Sequence, residues 1–506
     1  MSSSSPAAGR SHRFGTALRL CLLLPALGLA ACAVGPDYET PGVSLPGRWG
    51  NAPKTAKPLQ PKQLSQWWKK FGDRTLDGLV AEAVEGNLDV ASAKARIREA
   101  RASRRQAIGA LLPLLDGSGS FTRARSSANS AGGTATDISN TTYNSYVAGF
   151  DASWELDLFG ANYRNVEAST YGVDAADEDL RAVLLTLVGD VTSTYAEARG
   201  YQARVALAKR TAASQRETEA LTRTRFNAGS ASAVDVARAT AQAASTEAAI
   251  PSLETAYAAS LHQLGILLGQ PPATLASRLA RGGPIPAARS TPPAGMPADV
   301  LRNRPDVRRA ERQLAQQTAK IGQAEAALYP SISLTGNLRT SALKSGDLAK
   351  NSSISWSFGP SLSVPIFNGG ELRAAVEVAQ AQRDQSDAAF RLSVLTAMQD
   401  VENALVGLSQ ERIRTGKLQS SATSYGEAAR LSRSLYQSGS ASFLDVLDAE
   451  RSLYSAEDAL LQSRVQATTY FIALNKALGG GWDKPVDASR PAVVDTNTGP
   501  HLRRPY

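Results

Sequence analysis

The sequence predicts a mixed α and β membrane protein that is built as a tandem structural repeat. Three features of its 506 residues indicate this fold class: a targeting segment at the N-terminus, two halves that resemble each other, and an apolar pattern that switches between the period of a helix and that of a strand. Such a pattern predicts helices, amphipathic strands and a long helical hairpin in each half.

The N-terminal segment has the features of a bacterial lipoprotein signal. Three arginines precede an apolar run over residues 20–31, which is too short to span a bilayer. The run ends in Leu29-Ala30-Ala31-Cys32, where small residues suit a signal peptidase and the thiol can receive diacylglycerol. We therefore predict a signal peptide over residues 1–31 and lipid attachment at Cys32. An ordinary secretory signal with a chance cysteine is the alternative.

Composition argues against several classes of protein. The net charge is +9, and loss of the signal removes three arginines and no acids, which leaves about +6. The lysines and arginines alternate with acids and form no stripe with stacking aromatics, so no nucleic-acid partner is expected. Cleavage would leave Cys32 as the only cysteine, so neither a disulfide nor a thiol pair for a metal is expected.

The two halves of the chain align with each other. Residues 226–236 align with 436–446 without a gap, residues 110–113 with 327–330, and residues 87–90 with 304–307. The order is kept, and the spacing stays at roughly 208 to 217 residues, which indicates a tandem duplication. The predicted segments are a signal peptide (1–31), a lipid anchor with a Pro-rich N-terminal segment (32–63), a first repeat (64–270), a Pro-rich linker (271–297), a second repeat (298–480) and a C-terminal tail (481–506).

Each half contains a long stretch with a heptad pattern. No proline interrupts residues 161–226, and apolar residues recur there every seven positions, as they do in the second half. The heptad positions are Leu184, Val191, Ala198, Val205 and Ala212, then Val394, Val401, Leu408, Thr415 and Ala422, and on the second return Val446, Leu453, Leu460, Ala467 and Leu474. Coiled-coil helices of about 65 residues, ~100 Å long, are predicted. They should turn at Gly229 and Gly439 and return as second helices.

Two other segments alternate with a period of two. Residues 146–158 and 354–366 place apolar and aromatic side chains on one face and small or polar side chains on the other. Shorter strands, 115–123 and 332–338, precede them across polar stretches. The pattern is typical of outer-membrane barrel strands, although soluble sandwich strands alternate too. The side chains predicted to face lipid include Tyr146, Phe150, Trp154, Trp356 and Phe358.

Four strands are too few to close a barrel, and an open edge in lipid would leave backbone groups unpaired. Beyond the signal, no apolar stretch reaches the about 18 residues that a membrane helix needs. Three copies would give 12 strands around a water-filled bore, whereas two copies would give a bore nearly filled by side chains. The sequence thus predicts a homotrimer with a 12-stranded outer-membrane β-barrel, four strands per chain, continued by a long α-helical coiled-coil barrel.

This arrangement resembles the outer membrane factor family, the TolC-like ducts, and within it the NodT-type efflux lipoproteins. The resemblance covers nearly all of the mature chain. Its most specific segments are Cys32-Ala-Val-Gly-Pro-Asp-Tyr, Trp67-Trp68 with Phe71, Arg304-Pro-Asp-Val-Arg-Arg, Tyr329-Pro-Ser-Ile-Ser-Leu, Val364-Pro-Ile-Phe-Asn-Gly-Gly and Ala477-Leu-Gly-Gly-Gly-Trp. Trp67-Trp68 is expected to pack a short N-terminal helix against the equatorial region, which in this family is a mixed belt at mid-height, rather than to bind a ligand.

The resemblance implies an outer-membrane exit duct of a tripartite efflux pump. Such a duct is a homotrimer held in outer-membrane lipid, and it works with a periplasmic adaptor protein and an inner-membrane RND-type transporter. It conducts drugs or other small solutes passively and binds no cofactor. The closest competing class is the exit duct of a type I secretion system, which conducts proteins. A periplasmic adaptor would have one hairpin flanked by small β-domains, and an adhesin stalk would not need strands with an apolar face.

The resemblance also implies a periplasmic gate that opens by helix untwisting. In this family a Tyr and an Arg on the second hairpin link to an Asp on the first, and two rings of Asp line the aperture. By position the Tyr is Tyr436, the acceptor is Asp235, and the rings are Asp445 and Asp448. The Arg position holds Ala441, so that link is absent.

Asp445 and Asp448 lie three residues apart and so share one helix face. Six such carboxylates around a bore would favour cations and would repel one another, which would raise some of their pKa values. They could instead be helix N-terminal acids, with Ser440 or Ser442 as the cap.

Catalytic chemistry is not expected. The three histidines, His12, His262 and His501, lie in the signal, in a helix and in the tail, so they cannot assemble a catalytic triad or a clustered metal site. The glycine runs lack the spacing and the lysine of a phosphate loop. The sequence therefore predicts a protein that is not an enzyme and that holds no metal.

Overall fold

The computed structural model describes residues 33–50, 64–125, 142–288, 297–298, 303–482 and 484–489. The predicted signal peptide and Cys32 lie outside the described residues. The elements of the first half are α1 (Arg74–Gly86), α2 (Leu88–Gly109), β1 (Leu114–Arg125), β2 (Thr142–Leu156), α3 (Ala161–Asn227) and α4 (Ala233–Leu267). Those of the second half are α5 (Pro305–Ala326), β3 (Ser331–Ala342), β4 (Ile354–Ser363), α6 (Glu371–Ser438) and α7 (Phe443–Ala477). The predicted long helices and four strands are therefore present.

The described residues form two compact units. The first takes in the N-terminal segment up to Thr40, Ala100–Val173 and Arg312–Asp387, and contains all four strands. The second takes in Pro41–Glu99, Asp174–Glu311 and the chain from Ala388 onward, and contains both hairpin turns. Each unit draws on both sequence repeats, so the repeats interleave in space.

The first unit is built on a four-stranded antiparallel sheet in the order β1-β2-β3-β4. The register puts the apolar positions of neighbouring strands on the same side of the sheet. Phe150 is opposite both Gly117 and Leu338, and Leu338 is opposite Trp356. One face of the sheet is therefore apolar from edge to edge. Large side chains on that face are exposed; they include Leu115, Phe121, Phe150, Trp154, Leu338, Trp356, Phe358 and Leu362.

The opposite face of the sheet is polar. Arg339 donates to Asp151 at 2.7 Å, and Asn337 donates to the Ser357 hydroxyl at 2.7 Å. Both contacts join neighbouring strands on this face. The sheet is thus amphipathic, with its polar groups bonded to one another and its apolar groups uncovered within the chain.

The strands end where local chemistry requires it. The alternating pattern predicts β2 to residue 158, but it ends at Leu156 because the carboxylate of Asp157 accepts the N–H groups of Asn162 and Tyr163 at the start of α3. The pattern predicts β4 to residue 366, but it ends at Ser363, which lies opposite Ser331, the first residue of its partner strand β3.

The second unit contains the heptad core of the long helices. The heptad residues of α3, α6 and α7 that lie in this unit are all buried or half-buried, and Val191, Val394, Val401, Val446 and Leu474 are fully enclosed. The predicted seam therefore faces neighbouring helices along its length.

An aromatic cluster in the second unit packs around a short 3₁₀-helix, Trp67–Phe71. Trp67 and Trp68 begin a 3₁₀-helix and are both buried. The Trp67 indole N–H donates to the Gly480 carbonyl at 3.1 Å, and its ring meets Phe471 edge-on. Trp68 stacks on Trp482 at an interplanar angle of 6°. The pair packs as predicted, and it joins the start of the body to the segment after α7.

The described part of the Pro-rich linker is held against the helices of the second unit. The carbonyl of Leu279 accepts from the Tyr257 hydroxyl at 2.8 Å and from Gln202 at 3.0 Å. Further on, the carbonyl of Pro286 accepts from the Thr468 hydroxyl at 2.5 Å. In the described ranges no helix is long and apolar enough to cross a membrane.

Candidate functional site

The two helical hairpins turn at glycines with left-handed backbones. Gly229 has φ 77° and Gly439 has φ 83°, a conformation that residues with a Cβ rarely adopt. In each turn the N–H of the following serine donates to a carbonyl five residues back, at 2.8 Å in both hairpins. Both turns thus end a helix of 67 or 68 residues in the same way.

The return helices α4 and α7 start with the same capping box. In α7 the carboxylate of Asp445 accepts from the Ser442 N–H at 3.0 Å and from its hydroxyl at 2.8 Å, while the Asp445 N–H donates to the Ser442 hydroxyl at 3.3 Å. Asp235 and Ser232 make the same bonds in α4. Two of the three acids that the sequence singled out for the gate, Asp235 and Asp445, therefore take part in capping boxes within one chain.

The capping bonds also set the charge of Asp445. The hydroxyl and the backbone N–H of Ser442 both donate to the ionised carboxylate, which lowers the pKa of Asp445 below its ordinary value. Asp448 lies one turn further along α7, is exposed, and has no hydrogen-bond partner among the described residues. The two carboxylates lie on one exposed face of α7 at the start of the helix.

Tyr436 lies inside the hairpin tips rather than on their surface. Its side chain is 3% exposed, and its hydroxyl donates to the Thr222 hydroxyl of α3 at 3.2 Å. The Arg225 guanidinium lies 4.5 Å from the ring centroid, within range of a cation–π contact, and Phe443 meets the ring edge-on. Tyr436 thus joins the second hairpin to α3 of the first.

The Tyr436–Asp235 link implied by the family resemblance is not made within the single chain. The carboxylate of Asp235 is engaged by its own capping box, and the Tyr436 hydroxyl reaches Thr222 instead. The role of Asp235 as an acceptor for a neighbouring group therefore stays a prediction.

A buried charged cluster lies further along the same helices, and we name it the Glu450 cluster. Glu450 of α7 is 6% exposed, and its carboxylate accepts from the Arg433 guanidinium at 2.6 Å and from the Thr218 hydroxyl at 3.0 Å. Arg433 also donates to the Ser214 hydroxyl at 2.5 Å. The cluster therefore ties α6 and α7 of the second hairpin to α3 of the first.

A third polar contact joins α3 to α7. Arg204 of α3 donates two hydrogen bonds to the carboxylate of Asp458 of α7, at 2.6 and 3.1 Å, and both side chains are largely buried. Two parallel bonds to one carboxylate fix the relative orientation of the two groups. Tyr436, the Glu450 cluster and this ion pair form a series of three links between α3 and the second hairpin.

These links include residues that the sequence analysis did not single out. Ala441 is half-buried and carries no charge, while Arg225 and Arg433 supply cations to the same bundle. A signal for Glu450 existed: it lies four residues after Val446, next to the heptad face of α7, where a charge is unusual unless it is paired. Arg225 and Arg433 lie on helices rich in arginine and offered no comparable signal.

The described residues hold no group of three histidine, cysteine, aspartate or glutamate side chains that could bind a metal. His262 is exposed on α4. The candidate functional features are the amphipathic sheet of the first unit and, in the second unit, the polar links between α3 and the second hairpin.

An amphipathic four-stranded sheet and two long helical hairpins define an outer-membrane efflux channel subunit. The model of the outer membrane efflux protein family matches residues 79–270 and 296–480, and the chain belongs to this family. Like its family, it is a transport protein of the outer membrane that extends into the periplasm, and it is not an enzyme.

Relatives match almost the whole chain. Nodulation protein T of Rhizobium leguminosarum bv. trifolii is 37% identical over 457 residues, which cover 90% of this chain and 96% of that protein. The pyoverdine export outer membrane protein OpmQ of Pseudomonas aeruginosa is 32% identical, over 92% of this chain and 97% of that protein. The solved outer-membrane channel OprN is similar with a TM-score of 0.81 and 34% identity, over 89% of this chain and all of that one.

Proposed function

We propose that the chain is one third of a homotrimeric exit duct of a tripartite RND-type efflux pump. Three copies would join their sheets into a 12-stranded barrel in the outer membrane and their helices into a periplasmic tunnel. The duct would conduct drugs or other small solutes passively, after a periplasmic adaptor and an inner-membrane transporter have delivered them. The observation that carries the proposal is the sheet, which has an exposed apolar face and two open edges.

The open edges support assembly between copies. In the described part of the chain, β1 and β4 each pair on one side only. An edge of 10 to 12 residues with free backbone groups invites pairing with another chain, and it could not remain open in lipid. β4 of one copy beside β1 of the next would satisfy both edges.

The apolar face supports contact with lipid. Trp356 is 77% exposed and Phe358 70%, values that are unusual for aromatic residues in water. Strands of 10 to 15 residues suit a tilted membrane span. Outer-membrane lipid would cover this face, while the polar face with Arg339 and Asp151 would line the bore.

Thiol labelling tests the two faces. Cysteines at Phe150 and Phe358 should resist water-soluble maleimides in membranes, because lipid covers them, whereas cysteines at Ser153 and Ser361 should react from the bore. Phe150 and Ser153 lie on opposite faces of β2, as Phe358 and Ser361 do on β4, and the two members of each comparison are three residues, or ~10 Å, apart along the strand. Detergent-denatured samples provide the total-thiol control. If the cysteines at Phe150 and Phe358 reacted as fast as those at Ser153 and Ser361 in a variant with an open gate, the result would contradict the barrel.

Lipid attachment at Cys32 is the second anchor of the proposed duct. The thioether-linked chains would insert in the inner leaflet of the outer membrane, and several acyl chains with a barrel hold a protein firmly. Radiolabelled palmitate should enter the wild-type protein and not a Cys32→Ser variant, while SDS-resistant trimers that disappear on boiling should persist in both. A wild-type protein without label would refute the anchor but not the barrel.

The gate of the proposed duct combines two elements. The links between α3 and the second hairpin would hold the resting arrangement of the hairpins within each copy. They would replace the link of the family's Arg, whose position is occupied here by Ala441. Asp445 and Asp448 from three copies would form two acidic rings at the periplasmic aperture. Untwisting of α6 and α7 would open the bore, and repulsion within the rings would oppose closure.

A type I secretion duct is the other class that the fold allows. It would conduct unfolded proteins rather than small solutes. Deletion of the gene should sensitise cells to small toxic compounds if the proposed function holds, and should abolish export of a protein instead if the chain serves type I secretion.

A further inference from the structure

The segment that follows Cys32 is fixed to the first unit by backbone contacts. The N–H of Val34 donates to the Phe159 carbonyl at 3.1 Å, three residues after the end of β2. Ala33 packs on Gly160 so closely that a Cβ on that glycine would lie 2.8 Å from the Ala33 Cα. Tyr38 meets the ring of Tyr171 edge-on at 5.9 Å. The start of the mature chain thus lies in contact with the junction between β2 and α3.

A buried arginine holds this segment. Arg164 of α3 is 3% exposed, and its guanidinium donates to the carbonyls of Val34 and Gly35, each at 3.1 Å, and to Asp37 at 2.9 Å. Only its fourth acceptor, Glu167 at 2.8 Å, comes from its own helix. Burying a guanidinium requires such acceptors, so without the segment most of its bonds would be lost.

Glycines allow the backbone of the segment to approach the backbone of α5 closely. Gly35 has φ 90° and lies directly against the backbone of Gly322 of α5, where there is no room for a Cβ. A Cβ on Gly322 would lie 2.8 Å from both the Val34 carbonyl and the Arg164 guanidinium. Gly160, Arg164 of α3 and Gly322 of α5 therefore form one binding site for residues 33–38, which we name the N-terminal cradle.

We propose that the N-terminal cradle sets the position at which the lipid anchor leaves the protein. This inference rests on the proposed lipidation of Cys32. Cys32 directly precedes Ala33 in the sequence, and Ala33 packs on Gly160, four residues after the end of β2. The acyl chains then start where the apolar face of the sheet ends.

The cradle changes the expected role of the N-terminal segment. The sequence predicts a Pro-rich segment after the anchor, and if that whole segment were flexible, the lipid and the sheet would enter the membrane independently. A fixed start couples the two, so that insertion of the lipid brings the edge of the sheet to the membrane surface. Arg164 is the positioning residue of this coupling.

A spin label at Glu39 tests the cradle without any lipid. The label would be placed as Glu39→Cys in full-length trimers that carry Cys32→Ser and a non-lipoprotein signal. With Arg164 intact, its spectrum should be immobilised. Arg164→Ala should convert it to a fast-motion spectrum, and Arg164→Lys should give a mixture, because a single ammonium cannot reach four separated acceptors. Arg181→Ala, on the same helix and paired with Glu178, is the matched control and should leave the label immobilised.

Membrane assembly tests the coupling to lipid. In the lipidated protein, Arg164→Ala should reduce the yield of SDS-resistant trimer in the outer membrane several-fold, to the yield of the Cys32→Ser protein, whose trimers persist but form without help from the lipid. In the Cys32→Ser background the same change should have little further effect, because the cradle then has no lipid to position. An equal fold-loss in both backgrounds would make Arg164 a merely structural residue and overturn the proposal.

The two failures are distinguishable. A label that is mobile with Arg164 intact, or immobile in Arg164→Ala, would reject the cradle whatever the lipid does. Failure of wild-type protein to take up palmitate would reject the anchor and leave the spin-label result standing.

Discussion

Replacing Glu450 with alanine is expected to raise the resting conductance of the duct in planar bilayers by at least about tenfold. The change would remove the shared acceptor of the Glu450 cluster and leave the Arg433 cation and the Thr218 hydroxyl without their partner between the hairpins. Losing a hydrogen bond to a charged group costs roughly 1.5–3 kcal/mol, and about 1.4 kcal/mol corresponds to a tenfold change in an equilibrium. Three copies of the cluster would act in each proposed trimer.

The expected shift has a direction because the cluster joins the second hairpin to the first. Loss of the link destabilises the resting arrangement, in which the link is formed. It does not destabilise an untwisted arrangement, in which the link is already broken. Part of the Arg433 side chain is exposed, so water would offset some of the cost. Glu450→Gln keeps an acceptor for Thr218 without the charge and should have an intermediate effect.

Glu427→Ala is the matched control for this experiment. Glu427 is also a glutamate paired with an arginine, Arg430, but both side chains are exposed and lie on one face of α6. Exposed pairs contribute little, so conductance should be unchanged. The SDS-resistant trimer must be retained in every variant, which separates gating from unfolding. Equal conductance in Glu450→Ala and Glu427→Ala would remove the cluster from the gate.

The sequence predicted most of the backbone because the signals for helices and strands are local. Heptads marked α3, α6 and α7, and a period of two marked β2 and β4 together with the residues that share a face on each of these two strands. The errors were at the ends. Asp157 acts as an acceptor for the first N–H groups of α3, and the strand pattern cannot show where such a cap interrupts it.

The partners within the candidate site could not be predicted in the same way. Tyr436 had acceptors available on either helix of the first hairpin, and the choice of Thr222 depends on how α3 packs against α6. Arg164 and its carbonyl acceptors at Val34 and Gly35 are about 130 residues apart. Contacts of this kind arise from tertiary packing, and no periodic pattern in one segment records them.

Neutralising the acidic pair at the start of α7 is expected to remove the cation preference of the duct. Asp445→Asn with Asp448→Asn would take six negative charges from the proposed rings of a trimer. Asparagine at position 445 keeps an oxygen that can accept from Ser442, so the capping box should survive. Reversal potentials in a salt gradient should move from a cation-selective value toward zero, while trimer stability should change little.

Asp235→Asn provides the matched comparison, because Asp235 occupies the same position in the capping box of α4. If Asp445 and Asp448 were only helix-start acids on a solvated face, the two sets of changes should affect ion selectivity equally, and little. If they line the aperture, only the change in α7 should alter it. The same recordings at several pH values give a second readout of these carboxylates.

The pH dependence follows from the two opposing influences on Asp445. Its bonds from Ser442 lower its pKa, so the capping contribution is present at neutral pH and is lost only as the pH falls through that lowered value. Repulsion in a closed ring acts in the other direction and would raise the pKa of some of the six groups. Cation preference should therefore be present at neutral pH and weaken as the pH falls, first in the resting duct and later in Glu450→Ala, where opening would move the carboxylates apart. Selectivity that is insensitive to acid in both proteins would show that Asp445 and Asp448 do not face the bore.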